Sequence, residues 1–171
     1  MTASVLVAYA TRYGSTKEVA EAIAATLWEN GLTVDIQPLH DVKSLKDICG
    51  VVMGAPLQMF RWHKDATGFL NRFRKELCEI PVAVFALGPF HDEESEWTEV
   101  RKELDKELAN FPWFSPVSVN IVGAKYDPSA LGFPFNLLPA MKQIPSIDIR
   151  DWDAIRAWAR ELCDCMGTEA G

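Results

Sequence analysis

Short apolar segments alternate along this chain with longer segments whose apolar residues recur at helical spacing. Short apolar runs are typical of buried strands, and helical segments between them provide crossovers from one parallel strand to the next. The pattern predicts an α/β domain, a doubly wound five-stranded parallel sheet with helices on both faces. The predicted strands are Ser4–Ala10, Leu32–Leu39, Gly50–Ala55, Pro81–Leu87 and Val117–Val122.

The order of the strands follows from their polarity. The second predicted strand alternates polar and apolar residues over Thr33–Gln37, as expected of a strand at the edge of a sheet, whereas the first and third are apolar throughout. These patterns favour the order 2-1-3-4-5. In that order a crevice opens between strands 1 and 3 at their carboxyl ends, and doubly wound domains bind their ligands there.

The helices are predicted from apolar spacing and from their end residues. The first covers Ser15–Asn30 and stops at Gly31, and the last follows Asp151, which is suited to cap it. Two others are marked by Phe69, Leu70, Phe73 and Leu77, and by Trp97, Val100, Leu104 and Leu108.

The length of 171 residues predicts a single domain, residues 1–171, with an insertion at about residues 124–150. The inserted segment is rich in glycine and proline and has an apolar centre. Connections of this length in a compact domain are usually functional or carry elements of their own. A short helix is predicted within it, around Asn136–Gln143.

Charge and composition exclude several classes of protein. A net charge of -7 argues against binding to nucleic acid, which requires a clustered basic face. The four cysteines form no C-x-x-C pair, so neither a metal centre nor a thiol redox pair is expected. No apolar run reaches the roughly 20 residues of a membrane span. Because the first residues also lack the features of a secretory signal, a cytoplasmic location is expected.

The turn after the first predicted strand combines hydroxyl side chains with one glycine. Its sequence is Thr11-Arg12-Tyr13-Gly14-Ser15-Thr16. Hydroxyls donate to phosphate oxygens, glycine lets the backbone curl around an anion, and the following helix directs its free N–H groups to the same place. The turn is therefore predicted to bind a phosphate. The alternative is a helix cap alone, because Ser15 and Glu18 have the spacing of a capping box.

Two further loops follow the third and fourth predicted strands. The first is apolar and aromatic where loops are usually polar, which is explained either by stacking on a planar ligand or by packing in the core. The second contains a Gly-Pro turn and His91, the candidate catalytic residue, which either transfers a proton or is a solvated residue at a helix start. The predicted ligand contacts are Pro56, Leu57, Gln58, Met59, Phe60 and Trp62 in the first loop and Leu87, Gly88, Pro89, Phe90 and His91 in the second.

Other phosphate-binding classes fail on particular residues. The G-x-G-x-x-G motif of dinucleotide sites and the G-x-x-x-x-G-K-[ST] motif of P-loops are both missing, since Gly14 is the one glycine of the turn. A phospho-acceptor signalling domain needs an acidic residue at the end of the third strand, where this chain has Met53-Gly54-Ala55.

Four segments together resemble the flavodoxin-domain family, and within it the branch that contains the menaquinone-dependent protoporphyrinogen IX dehydrogenases. They are Thr11–Thr16, Gly54–Leu57, Gly123–Asp127 and Asp148–Asp153. The resemblance implies FMN bound non-covalently, with its phosphate at Thr11–Thr16 and its ring between the two loops described above. The acidic run Asp92-Glu93-Glu94 departs from the family's pattern.

The resemblance further implies an FMN-dependent oxidoreductase that passes electrons from an apolar, protoporphyrinogen-like substrate to a quinone. A one-electron carrier between partner proteins is the alternative, and a regulatory flavin domain is the third class. The apolar insertion favours the enzyme, because a flap of this kind suits a hydrophobic substrate or a membrane surface. The expected partners are a small-molecule or protein redox partner, a quinone, a peripherally contacted membrane and a second copy of the chain.

Overall fold

The computed structural model describes residues 3–59, 61–130 and 137–167. Its strands are β1 (Ser4–Tyr9), β2 (Val34–Pro38), β3 (Ile48–Gln58), β4 (Arg61–Trp62), β5 (Val82–Leu87), β6 (Ser118–Val122), β7 (Lys125–Tyr126) and β8 (Ile147–Asp148). Five of them form a parallel sheet in the order β2-β1-β3-β5-β6. This is the predicted order 2-1-3-4-5, because β4 only pairs with the end of β3.

The helices are α1 (Ser15–Glu29), α2 (Lys64–Arg72), α3 (Arg74–Leu77), α4 (Glu94–Ala109), α5 (Pro139–Lys142) and α6 (Trp152–Met166). Asp151 caps α6 as predicted, since its carboxylate accepts a hydrogen bond from the Ala154 N–H at 3.0 Å. The helix predicted through Phe73 and Leu77 is two helices, because the backbone at Phe73 leaves helical geometry (φ -111°, ψ 22°). Among the described helices, none is long and apolar enough to cross a membrane.

Both faces of the sheet are covered, as predicted. Along β1, Leu6 and Ala8 belong to the core under α2 and α4, whereas Val5 and Val7 belong to the core under α1 and α6. Successive side chains of a strand point to opposite faces, so a fully apolar strand fills two cores at once. The two layers fix the carboxyl ends of β1, β3 and β5 side by side.

Strand β3 is longer than predicted and corrects the interpretation of the segment after Ala55 as a loop. It continues to Gln58 because Leu57 and Gln58 pair in antiparallel register with Trp62 and Arg61. Pro56 lacks a donor, but its carbonyl accepts a hydrogen bond from the His63 N–H at 3.2 Å, so it fits at this position. The segment is therefore a short hairpin rather than an irregular loop.

The insertion begins and ends at a small antiparallel pair of strands. Lys125 of β7 lies opposite Asp148 of β8, and Tyr126 lies opposite Ile147. The helix predicted around Asn136–Gln143 is the shorter α5, and Asn136 lies outside the described residues. The two ends of the predicted insertion are therefore adjacent in the structure.

Candidate functional site

The turn after β1 is held in place by backbone hydrogen bonds and one hydroxyl. The Ala10 N–H donates to the Gly54 carbonyl at 2.9 Å, and the Gly14 N–H donates to Thr11 Oγ1 at 2.8 Å. Gly14 precedes α1 in a left-handed conformation (φ 92°), which favours glycine. The first N–H groups of α1, from Ser15 onward, therefore lie at the end of this turn. Like those at the start of any helix, they have no acceptor within the helix.

The predicted capping box is not formed. Gly14 occupies the cap position and no side chain caps α1. The Glu18 carboxylate instead lies 3.5 Å from Lys125 Nζ and 3.5 Å from Arg150 Nη2. The alternative interpretation, in which Ser15 and Glu18 only cap the helix, is wrong.

Thr16 carries the observation that points most directly to a ligand. Its side chain is fully buried, and among the described residues Thr16 Oγ1 is the one buried side-chain oxygen or nitrogen that lacks a hydrogen-bond partner. Leaving a buried hydroxyl unsatisfied costs about 1–3 kcal/mol, so such an atom is normally matched by a ligand or by water. A phosphate oxygen at the start of α1 fits it.

A crevice of about 70 Å³ lies at the carboxyl ends of β1, β3 and β5 and is open to solvent. It brings together residues from all three predicted segments and from the base of the insertion, which sequence reasoning did not assign to the site. The lining residues are Arg12, Tyr13, Ser15, Thr16, Pro56, Leu57, Gln58, Leu87, Gly88, Phe90, Ala124, Lys125 and Tyr126.

Two residues of the β3–β4 segment do not line the crevice. Trp62 is 3% exposed and belongs to the core, where its Nε1–H donates to the Ala55 carbonyl at 3.2 Å. The prediction that Trp62 stacks on a ligand is therefore wrong, and the core alternative is correct, because antiparallel pairing turns this side chain inward. Met59 is 93% exposed at the tip of the turn, and Phe60 lies outside the described residues.

The loop after β5 is tied to the next strand. The Gly88 N–H donates to the Val122 carbonyl at 2.9 Å, and the Ala124 N–H donates to the Pro89 carbonyl at 2.9 Å. A Cβ atom on Gly88 would lie 2.3 Å from Val100 Cγ1, so only glycine fits this position without displacing α4. Pro89 thus contributes a backbone contact and not a wall of the crevice.

His91 lies beside the crevice at the start of α4. Its Nδ1 is 2.9 Å from Glu96 Oε1, its backbone N–H donates to the same carboxylate at 3.2 Å, and its ring is largely exposed. The structure does not place His91 among the lining residues. This arrangement matches the alternative of a solvated residue at a helix start.

The mouth of the crevice has an aromatic side and a polar side. Phe90 and Tyr126 meet edge to face, with ring centroids 6.5 Å apart and an interplanar angle of 82°. Two other lining residues are polar: Arg12 Nη1 lies 3.4 Å from Gln58 Oε1, and the Arg12 guanidinium lies 5.4 Å from the centre of the Tyr13 ring. Apolar walls with a few polar groups are typical of sites for planar cofactors.

A buried arginine fastens the insertion to the turn. Arg150 donates to both carboxylate oxygens of Asp148 (2.9 and 2.8 Å) and to the Ser15 carbonyl at 3.2 Å. Its guanidinium also lies 4.6 Å from the centre of the Trp152 ring. The hydrogen bonds from Arg150 hold the pKa of Asp148 below its ordinary value. Sequence reasoning missed this contact, because Ser15 and Arg150 are far apart in the chain.

A doubly wound parallel sheet with a glycine turn before a helix at its switch point is the architecture of a known class of cofactor-binding domains. The Flavodoxin domain family matches residues 6–133, and the chain belongs to that family. FMN is the cofactor of this family. Within the described residues, no group of three or more His, Cys, Asp and Glu side chains is placed to hold a metal ion.

Individual relatives were found by sequence and by structure. The chain is 23% identical over 168 residues to the protoporphyrinogen IX dehydrogenase [quinone] of Escherichia coli K12, which covers 92% of this chain and 93% of the relative. Its fold is similar to oxidised flavodoxin 1 of Bacillus cereus (TM-score 0.62, 15% identity, 95% of this chain and 98% of the other). It is also similar to a flavodoxin from the domain Archaea (TM-score 0.59, 14% identity, 96% and 99%).

Proposed function

We propose that the crevice binds FMN with its phosphate at the turn Thr11–Thr16. The observation that carries the proposal is the buried, unpaired hydroxyl of Thr16 at the start of α1. That hydroxyl and the free N–H groups of the first helical turn donate to phosphate oxygens, and the positive end of the helix dipole adds to the attraction. The hydrogen bond between Thr11 and Gly14 fixes the turn before the ligand arrives.

The β3–β4 hairpin and the loop after β5 would hold the isoalloxazine ring between them. Leu57 and Leu87 supply apolar surface, and the Phe90 ring provides an aromatic surface at the mouth. Gln58 is the side-chain amide within reach of ring heteroatoms. When bound, FMN supplies hydride or single-electron transfer, while these residues orient it and exclude water.

The phosphate assignment is tested by Thr16→Val. FMN binding should weaken at least tenfold, because a hydrogen bond to a charged group contributes roughly 1.5–3 kcal/mol. Riboflavin, which lacks the phosphate, should bind equally well to both proteins. Thr26→Val is the matched control, since Thr26 is buried on the same helix but its hydroxyl donates to the Ala22 carbonyl at 2.9 Å. Equal losses for FMN and riboflavin would contradict the assignment.

We further propose that the protein is an oxidoreductase that takes electrons from an apolar, protoporphyrinogen-like substrate and passes them to a quinone. Two observations support this. The curated relative of similar length is a protoporphyrinogen IX dehydrogenase [quinone], and the insertion exposes Leu137 (65%), Leu138 (47%) and Ile144 (43%). Exposed apolar side chains in one segment suit an apolar substrate or the surface of the membrane in which a quinone dissolves.

Turnover decides between the enzyme and a carrier. The FMN-loaded protein should oxidise protoporphyrinogen IX with a menaquinone analogue as acceptor, under anaerobic conditions. The double variant Leu137→Ser, Leu138→Ser should slow this reaction and leave FMN affinity unchanged. Trp28→Ser is the control, because Trp28 is 69% exposed near the far end of α1. Absence of turnover, together with rapid electron exchange with a redox protein, would support the one-electron carrier instead.

A further inference from the structure

Lys125 lines the same crevice as Ser15 and Thr16, although it belongs to the base of the insertion. Two sets of hydrogen bonds hold the backbone at Lys125 in place. Lys125 pairs with Asp148 of β8, and the preceding Ala124 donates to the Pro89 carbonyl. The side chain is 30% exposed, so its ammonium group is partly shielded from water but is not enclosed.

The present partner of Lys125 is a weak one. Its Nζ lies 3.5 Å from Glu18 Oε1, beyond the distance of a good hydrogen bond, and the Glu18 side chain is 46% exposed. Glu18 also faces Arg150 at 3.5 Å, which in turn is held closely by Asp148. Ion pairs of this exposure contribute little to stability, so Lys125 can exchange Glu18 for a more highly charged anion at small cost.

We propose that Lys125 is a phosphate-binding residue of the crevice. Its ammonium group exchanges Glu18 for the phosphate of the cofactor, and this contact selects FMN over riboflavin. The inference rests on the proposed phosphate site at Thr11–Thr16. It adds to that site a positive charge supplied from the insertion. A compact ammonium group binds a phosphate as a point charge, so a flexible lysine beside the turn is suited to the role.

The arrangement also connects the two ends of the crevice. Lys125 is followed by Tyr126, whose ring packs against Phe90 at the mouth. A phosphate bound to Lys125 would therefore be linked through β7 to the aromatic pair at the mouth of the crevice.

The test compares binding of FMN and of riboflavin to Lys125→Met. We expect FMN to bind about tenfold more weakly, with a smaller dependence on salt, and riboflavin to bind as it does to the unmodified protein. Lys125→Arg should retain most of the preference for FMN. Lys17→Met is the matched control, because Lys17 pairs with Glu21 of the same helix at 3.8 Å and lies outside the crevice. It should change neither affinity.

Two further measurements keep the proposal falsifiable. Inorganic phosphate should raise the melting temperature of the flavin-free protein less in Lys125→Met than in the unmodified chain. Glu18→Gln, which removes the competing carboxylate, should tighten FMN binding severalfold and leave riboflavin unchanged. If Lys125→Met keeps the full preference for FMN, or Glu18→Gln leaves FMN binding unchanged, Lys125 has no such role and the turn binds the phosphate without it. If the unmodified protein does not prefer FMN to riboflavin, the phosphate site itself is wrong.

Discussion

The two ends of the crevice are built in different ways. At the proposed phosphate end, the hydrogen bond between Thr11 and Gly14 and the buried hydroxyl of Thr16 come from one short stretch of chain, beside which the insertion places Lys125. At the ring end, the walls come from the β3–β4 hairpin, the loop after β5 and the base of the insertion. A site made by local geometry is encoded by a short motif, whereas a site made by tertiary contacts depends on the whole fold.

The two ends also differ in exposure. Thr16 is fully buried, whereas Phe90 is 42% exposed. Buried polar groups have one geometry in which they are satisfied, and half-exposed rings can change with little loss of stability. On the proposed function, we expect cofactor affinity to depend mainly on the first end and the choice of substrate to depend on the second.

The largest effect is expected where the phosphate end is tied to the insertion. Arg150→Met removes the donor to Asp148 and to the Ser15 carbonyl, and should lower the free energy of unfolding by about 2 kcal/mol. The loss stays below that for a fully buried ion pair because Asp148 is 41% exposed. Urea unfolding measures it. Arg156→Met is the control, because Arg156 is exposed and lies 3.5 Å from Asp153, and it should change the free energy of unfolding very little. A loss as large as that of Arg150→Met would contradict a particular role for the buried Arg150.

The same contact predicts a dependence on pH. Because Arg150 holds the pKa of Asp148 below 3.8 in the folded state, the ionised carboxylate stabilises the fold. This contribution is complete above the unfolded-state pKa and is lost as the pH falls through the folded-state value. The free energy of unfolding should thus be larger for the unmodified protein than for Asp148→Asn at neutral pH, and the two values should converge in acid. Parallel curves over the whole acid range would contradict the assignment.

Thr16→Val should act in opposite directions on the free and the loaded protein. Without flavin, removing an unsatisfied buried hydroxyl should raise the free energy of unfolding by about 1 kcal/mol. With FMN, the same variant should be the less stable of the two, because it loses affinity. Thermal unfolding with and without FMN gives both values. A flavin-free variant that is less stable than the parent would show that water already satisfies the hydroxyl.

At the ring end, Phe90→Ala should weaken FMN and riboflavin alike by about 0.5–1 kcal/mol. The ring of the flavin is common to both ligands, so the phosphate makes no difference here. Flavin fluorescence, quenched by stacking, should recover in part. The control is a substitution at Trp28, which is exposed and can be replaced without disturbing the core. Phe114 does not serve as a control because it belongs to the core. A loss confined to FMN would place Phe90 at the wrong end.

The smallest effect is expected for His91→Gln. His91 is exposed and pairs with Glu96, so its replacement should change FMN affinity and stability by less than about 0.5 kcal/mol. The pH dependence of turnover should also be unchanged. A shifted pH profile would return His91 to the reaction as a proton donor.

Local signals were sufficient for the framework of this domain. The strand order was predicted from patterns that neighbouring residues form. These patterns are the apolar runs, the alternation in β2, the cap at Asp151 and the turn Thr11–Thr16. Trp62 could not be assigned in this way. Its position depends on antiparallel pairing with Leu57, and an aromatic residue after a strand has the same sequence appearance whether it faces a ligand or the core.

The contact between Arg150 and the turn could not be predicted from the sequence either, because it also depends on tertiary structure. The sequence shows only an arginine between two acidic residues, Asp148 and Asp151, which is the usual pattern of a solvated surface. Arg150 is buried against the Ser15 carbonyl because α6, which begins two residues after Arg150, packs against α1. Contacts between distant segments leave no periodic or spaced pattern in the sequence.

The pairing of β7 with β8 has a consequence for how this protein can vary. Because Tyr126 and Ile147 are neighbours, the chain between them is a closed excursion whose two ends are already joined by the rest of the domain. Lengthening such an excursion carries only a slowly growing entropic penalty, and shortening it to a tight turn leaves the sheet and its cofactor crevice in register. The segment between Tyr126 and Ile147 can therefore be replaced as a unit without removing Lys125 or Arg150. If the segment contacts the substrate as proposed, exchanging it would change substrate preference and leave the crevice intact.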